Sequence, residues 1–243
     1  IVEEVRKLTK MKGFKGYIHD VGGPTANFRH PSCARQRKHG MCRNRDCLYP
    51  EPCRQLDTDH EEYLRVLKAV RNAEGVKKVF IRSGIRYDYL LADGNERFME
   101  ELCSHHVSGI LKVAPEHVSQ RVLKNMRKPP IEVFERFGKI YRETNRRLEK
   151  KQYMLPYFIS SHPGSSLEDA IELALYMKKT GFVPDQVQDF YPTPGTLATC
   201  MYYTERDPFT MEKVYVAKDV EEKRMQRALM HFNKKENRET VKK

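Results

Sequence analysis

The sequence predicts an α/β fold, a partial (β/α) barrel of about five parallel strands with flanking helices. Three observations lead there. Apolar segments of strand character alternate with segments of helical spacing along the 243 residues. The connections between strands are too long for hairpins, so each is a crossover, and crossovers of one hand wind a sheet in one direction. No linker rich in Gly, Ser or Pro divides the pattern, which favours one continuous sheet over two separate domains. Because the chain opens on a helix, the first strand of such a barrel is expected to be missing from it.

In chain order, "VEEVRKLTKM" sets Val2, Val5, Leu8 and Met11 at helical spacing, and Gly13 closes that helix. "GYIHDVGG" follows as a short apolar strand. In "DTDHEEYLRVLKAVRNAEG", Thr58 and Glu61 have the spacing of a capping box, Leu64, Leu67, Ala69 and Val70 form an apolar face, and Gly75 ends the helix. "KKVFIRSG" reads as the second strand, "GNERFMEELCSHH" as a helix, "GILKVAPE" as the third strand and "VFERFGKIYRETNRRLEK" as another helix. "YMLPYFISSHPG" is the fourth strand. It leads into "SSLEDAIELALYMKKTG", where Ser165 and Glu168 have capping spacing and Gly181 is the stop. "DQVQDFY" is the fifth strand, and "EEKRMQRALMHF" is an outer helix. The expected organisation is a barrel portion over 1–204 with a cysteine-rich insertion at 29–57. A helical extension follows at 205–233, then a disordered basic tail at 234–243.

No run of eighteen apolar residues and no charged-then-apolar leader occurs, so the sequence predicts no membrane span and no signal peptide. The expected location is the cytoplasm, where the six cysteines would be thiols or metal ligands rather than disulfides. The net charge of +12 invites a nucleic-acid partner, and basic residues concentrate between Cys33 and Cys53. Acids and bases interleave elsewhere, as on ordinary helix surfaces.

In a parallel α/β sheet, functional side chains gather at the C-terminal ends of the strands. Those ends carry Gly22, Gly23, Pro24 and Thr25; Arg82, Ser83 and Gly84; Pro115, Glu116 and His117; Ser160, Ser161 and His162; and Asp189, Tyr191 and Pro192. All five are polar, which a sheet built only to pack does not need. Strand-to-helix turns also use Gly, Ser and Pro for backbone reasons alone.

Four cysteines, Cys33, Cys42, Cys47 and Cys53, fall within "CARQRKHGMCRNRDCLYPEPC". Their gaps, C-x8-C-x4-C-x5-C, exclude the paired C-x2-C knuckles of zinc ribbons and redox motifs. Four thiolates suit tetrahedral zinc or an iron–sulfur cluster, with His30 and His39 as substitute ligands. The alternative is four unconnected thiols in a basic loop. Cys103 lies on the apolar face of its helix and is expected to pack, and Cys200 is isolated.

"DVGGPTANF", "CLYPEPC", "DTDH", "IRSGIRYD", "HHVSGILKVAPEH", "PYFISSHPGS", "DQVQDFYPTP" and "MYYT" follow one another as in YgiQ-type radical SAM proteins, and the resemblance runs over about residues 1–233. It implies a partial barrel that binds a [4Fe–4S] cluster and S-adenosylmethionine (SAM). The reduced cluster would cleave SAM to a 5′-deoxyadenosyl radical, which abstracts hydrogen from a substrate the resemblance leaves unknown; a reductant protein supplies the electron. "GGPT" stands where that family has Gly-Gly-Glu-Pro, so Gly22, Gly23, Pro24 and Thr25 would approach the methionine amino group, with Pro24 in place of the acid. Arg82, Ser83 and Glu116 would hold the methionine carboxylate or the ribose hydroxyls. His117 and His162 are candidate proton donors or turn residues. The C-x3-C-x2-C signature of radical SAM enzymes is absent from the 243 residues and is expected upstream, with the four clustered cysteines as possible ligands of an auxiliary centre. The rival expectation is a metal-stapled, basic nucleic-acid-binding module without catalysis.

Overall fold

The computed structural model describes residues 1–23, 27, 29–182, 184 and 187–242. They form two compact units, 1–114 with 132–156, and 115–131 with 157–243. All five expected strands form, as β1 (Tyr17–Ile18), β2 (Lys78–Val79), β3 (Ile110–Glu116), β4 (Tyr153–Ser160) and β5 (Gln188–Asp189). They are arranged as a two-stranded sheet, β1-β2, and a three-stranded sheet in the order β3-β4-β5. The expected single continuous sheet is therefore seen as two ladders among the described residues. In the parallel β1-β2 pair Tyr17 stands opposite Lys78, and in the parallel β4-β5 pair Ser160 stands opposite Asp189.

The first unit carries α1 (Val2–Thr9), α2 (Ala34–His39), α3 (Glu61–Arg71), α4 (Tyr87–Asp93) and α5 (Glu96–Glu101). A π-helical turn, Leu102–His106, extends α5. Val5 of α1, Val70 of α3, Ile18 of β1 and Val79 of β2 make one buried cluster. Each such side chain contributes about 1.5–3 kcal/mol of burial free energy. On α3 the buried residues Tyr63, Leu64, Leu67 and Val70 recur at helical spacing, and the Tyr63 hydroxyl donates to the Val21 carbonyl at 2.7 Å. This bond ties the helix to the end of β1. The expected capping box at Thr58 and Glu61 does not form. Instead, Asp59 accepts from the Glu61 amide at 2.6 Å, because an aspartate two residues back closes an Asx turn without a longer side chain.

The second unit contains α6 (Gln120–Asn125), the start of α7 (Ile131–Arg147), α8 (Leu167–Thr180), α9 (Leu197–Thr204), α10 (Val220–Met230) and α11 (Arg238–Lys242). Its core joins Val118, Phe158 of β4, Leu173 and Met177 of α8, Val187 and Met230 of α10. The α8 capping box uses Ser166 and Asp169, one residue later than the sequence predicts. Ser165 is buried and occupied elsewhere: its hydroxyl donates to Gln226 Oε1 at 3.1 Å, and Gln226 Nε2 donates to the Ser165 carbonyl at 2.9 Å. The tail expected to be disordered carries a 3-10 turn, Lys235–Asn237, followed by α11. Asn237 Nδ2 secures it by donating to the His231 carbonyl at 3.1 Å.

Candidate functional site

The first unit presents the ends of β1 and β2 as a collar around one carboxylate. Asp20 Oδ1 accepts from the Gly22 amide at 2.8 Å and the Arg82 amide at 2.9 Å, and Oδ2 accepts from the Ser83 amide at 3.2 Å. Burial works to raise the Asp20 pKa. The Ser83 side chain and these three amides outweigh it and hold the carboxyl below its ordinary value. The Gly23 amide donates to the Gly84 carbonyl at 3.2 Å. Glycine is required here by close approach. A Cβ on Gly22 would meet Asp20 Oδ1 and Ile81 Cγ2 at 2.8 Å each, and one on Gly84, at φ +94°, would meet the Lys112 carbonyl oxygen at 2.8 Å. No donor among the described residues reaches the Gly22 or Gly23 carbonyl. Arg82 is exposed, with its guanidinium 5.5 Å from the Phe80 ring centroid. A cavity of about 680 Å³ adjoins the collar, lined by Asp20, Val21, Gly22, Ile18 and Arg29 together with residues of α1. Gly22, Gly23, Arg82 and Ser83 are thus brought together; Pro24 and Thr25 lie outside the described residues.

A buried relay supports the loop that follows. Asp93 Oδ2 accepts from His60 Nδ1–H at 2.9 Å, and His60 Nε2 accepts from Asn27 Nδ2 at 3.1 Å. Burial pushes the His60 pKa down despite the facing Asp93, and the tautomer set by Asn27 is the neutral one. Asn27 in turn brackets Arg86, taking its amide at 2.9 Å and donating to its carbonyl at 3.0 Å. "DTDH" is therefore an anchoring motif in this chain.

The cysteine segment is less assembled. Cys33 caps α2, its Sγ accepting from the Gln36 amide at 3.4 Å. Cys47 and Cys53 are joined through the backbone, the Cys53 amide donating to the Cys47 carbonyl at 2.8 Å. Cys42 is exposed. Among the described residues no three Cys, His, Asp or Glu side chains converge as a metal site. The four thiols as placed do not fit a tetrahedral centre: one is a helix cap, and another stands apart in solvent. Cys103 packs as expected, buried, with its thiol pushed up to about 12 by burial against a weaker hydrogen bond from Asn145.

The strand ends of the second unit hold two buried histidines in opposite tautomers. His117 Nδ1 accepts from the Ser119 amide at 3.0 Å, so its proton sits on Nε2. His162 Nδ1–H donates to the Pro163 carbonyl at 2.8 Å, so its Nε2 is a bare acceptor. Burial lowers both, His117 to about 4, and His162 adds to that fall by repulsion. The residue before each histidine, Glu116 at φ +69° and Ser161 at φ +57°, has left-handed backbone, an uncommon conformation for a side chain with a Cβ. Glu116 pairs with Lys128 at 2.9 Å. Asp189 Oδ2 accepts from Arg227 Nη1 at 3.0 Å, while its buried Oδ1 has no partner among the described residues. Phe190 packs on the edge of the His162 ring at 5.1 Å.

Sequence reasoning missed Asp20, Asn27, Asp93 and Lys128. Asp20 alone had a local signal, an aspartate two residues before a Gly-Gly pair at a strand end.

A domain of unknown function, DUF3362, matches residues 185–243. Over essentially its whole length the chain is similar to UPF0313 proteins, the YgiQ-type family. It is 57% identical over 242 residues to one from Clostridium botulinum (strain Okra / Type B1) and 58% identical to one from the Loch Maree / Type A3 strain. It is 55% identical over 237 residues, 98% of its length, to one from Clostridium perfringens (strain SM101 / Type A). The chain spans only 38% of the C. botulinum proteins and 36% of the C. perfringens protein. The motifs that suggested a YgiQ-type chain thus lead to homologues that carry that family's name, UPF0313.

Proposed function

We propose that this chain is part of a longer radical SAM enzyme, and that its first unit holds the methionine end of SAM at the ends of β1 and β2. The observation that carries this reading is the Asp20 collar. One carboxylate stitches two adjacent parallel strand ends together through three amides, and the glycines leave main-chain carbonyls open beside a cavity. Those carbonyls suit an ammonium group, and the Arg82 guanidinium suits a carboxylate. Ser83 is already engaged with Asp20, so its role is to fix the collar rather than to touch the ligand. In the second unit Glu116 is held by Lys128 and would accept from hydroxyl groups. An iron–sulfur cluster and SAM, when bound, would supply hydrogen-atom abstraction.

An auxiliary centre on Cys33, Cys42, Cys47 and Cys53 would require Cys33 to leave its helix cap and Cys42 to fold inward. The substrate and the reductant protein have no counterpart in the residues described. The test is SAM affinity, measured by equilibrium dialysis on a protein of the relatives' full length. Arg82→Gln should weaken binding by about tenfold, the scale of one charge-assisted contact. Unchanged affinity in both Arg82→Gln and Gly23→Ala would sink the assignment. The 243-residue chain by itself, lacking C-x3-C-x2-C, should release no 5′-deoxyadenosine under reducing conditions.

A further inference from the structure

Residues 29–54 carry a concentration of charge that the fold does not use. Arg35, Arg37, Lys38, Arg43, Arg45 and Arg54 are all exposed, and none forms an ion pair or side-chain hydrogen bond among the described residues. Only Asp46 and Glu51 oppose them within the segment. Elsewhere in the same unit several arginines are paired: Arg71 with Glu101 at 2.7 Å, Arg86 with Asp88 at 2.7 Å, Arg97 with Glu61 at 2.6 Å and Arg147 with Glu100 at 2.6 Å. Six cations this close in sequence, unpaired among the described residues, repel one another, and a polyanion would relieve that repulsion.

We propose that this loop is a docking arm for single-stranded nucleic acid, gripping phosphates rather than reading bases. Five of the six cations are arginines, whose planar fork matches phosphate oxygens. The arm has no aromatic platform for stacking: its one aromatic residue, Tyr49, is half-buried. Its only helix, α2, has six residues, about 9 Å, too short to lie along a duplex groove. A protein partner is disfavoured because such interfaces centre on apolar or aromatic anchors, and the segment exposes just one large apolar side chain, Met41. The inference is independent of the SAM reading.

Fluorescence anisotropy with a labelled 20-mer of oligouridylate tests it on the whole chain between 50 and 200 mM salt. Six phosphate contacts predict a log–log salt slope of about −4, so affinity should fall by about 300-fold over that range. Changing Arg35, Arg37, Lys38, Arg43 and Arg45 to Gln should bring the slope to about −1. A control variant with Lys10, Lys12, Lys15, Lys139 and Lys151 changed to Gln, exposed residues of the same unit, removes the same charge and should keep the slope. Equal losses in the two variants would reduce the effect to net charge and overturn the proposal. So would competition by polyglutamate as effective as by unlabelled oligouridylate, or no binding at 50 mM salt. Matching circular dichroism spectra establish that both variants are folded.

Discussion

Asp20→Asn is the sharpest test of the collar, because it keeps the shape of the side chain and removes its charge. The carboxylate accepts from three amides belonging to two strand ends. Hydrogen bonds to a charged group contribute about 1.5–3 kcal/mol each when shielded. Asp20 is exposed, so solvent screening brings the expected total to about 2 kcal/mol. With a urea slope of about 2–3 kcal/mol/M, the midpoint for the first unit should fall by nearly ~1 M at pH 7. Amide exchange at Gly22, Arg82 and Ser83 should accelerate about tenfold or more, while exchange in α8 stays as it was. The folded pKa of Asp20 is depressed, so its stabilisation is present above the unfolded value and is lost as pH falls through the folded one. Wild type and variant should therefore converge in strong acid. A midpoint unchanged at pH 7, or a difference that persists unaltered below the carboxylate range, would refute the electrostatic account.

Two further outcomes follow from buried groups and thiols. Burial pushes the His117 pKa down from the ordinary 6.5 to about 4, so the second unit should lose up to about 3 kcal/mol as pH falls across that interval; His117→Gln should flatten the slope, and nitrogen shifts at neutral pH should report an Nε2–H tautomer. After anaerobic reconstitution, about four iron and four sulfide per chain that vanish when Cys33, Cys42, Cys47 and Cys53 become Ala would establish a cluster on those thiols. One zinc without sulfide would establish a staple instead, and no metal in either protein would leave the segment a basic loop.

The alternation of periods made all five strands legible in the sequence, since β3 and β4 keep enough apolar residues for a strand and the crossover helices keep their apolar faces. Short helices were not legible. Ala34–His39, with four of its six residues basic or His, has no apolar face, and Tyr87–Asp93 and Gln120–Asn125 are only one or two turns long. Cap positions slipped for a tertiary reason: Ser165 and Ser166 are equivalent as local signals, and the choice was made by Gln226, sixty-one residues away. At the site, glycine and arginine positions could be read from strand ends. Asp20 has a local signal in the Gly22 amide two residues on, but its link to the Arg82 and Ser83 amides, more than sixty residues distant, is a relation no local pattern encodes.

The chain passes between its two compact units at 114, 131 and 156, so each unit is assembled from separated stretches of sequence. The DUF3362 match begins at residue 185 and therefore cuts through the second unit rather than alongside it. Val187 and Met230 would be kept by a fragment made to that boundary, while Val118, Phe158, Leu173 and Met177, against which they pack, would be left behind. Such a fragment would carry one side of a core and no other. Here the segment inherited as a recognisable block and the segment able to fold as a body are different objects, and deletion or exchange at the family boundary would expose apolar surface on both products.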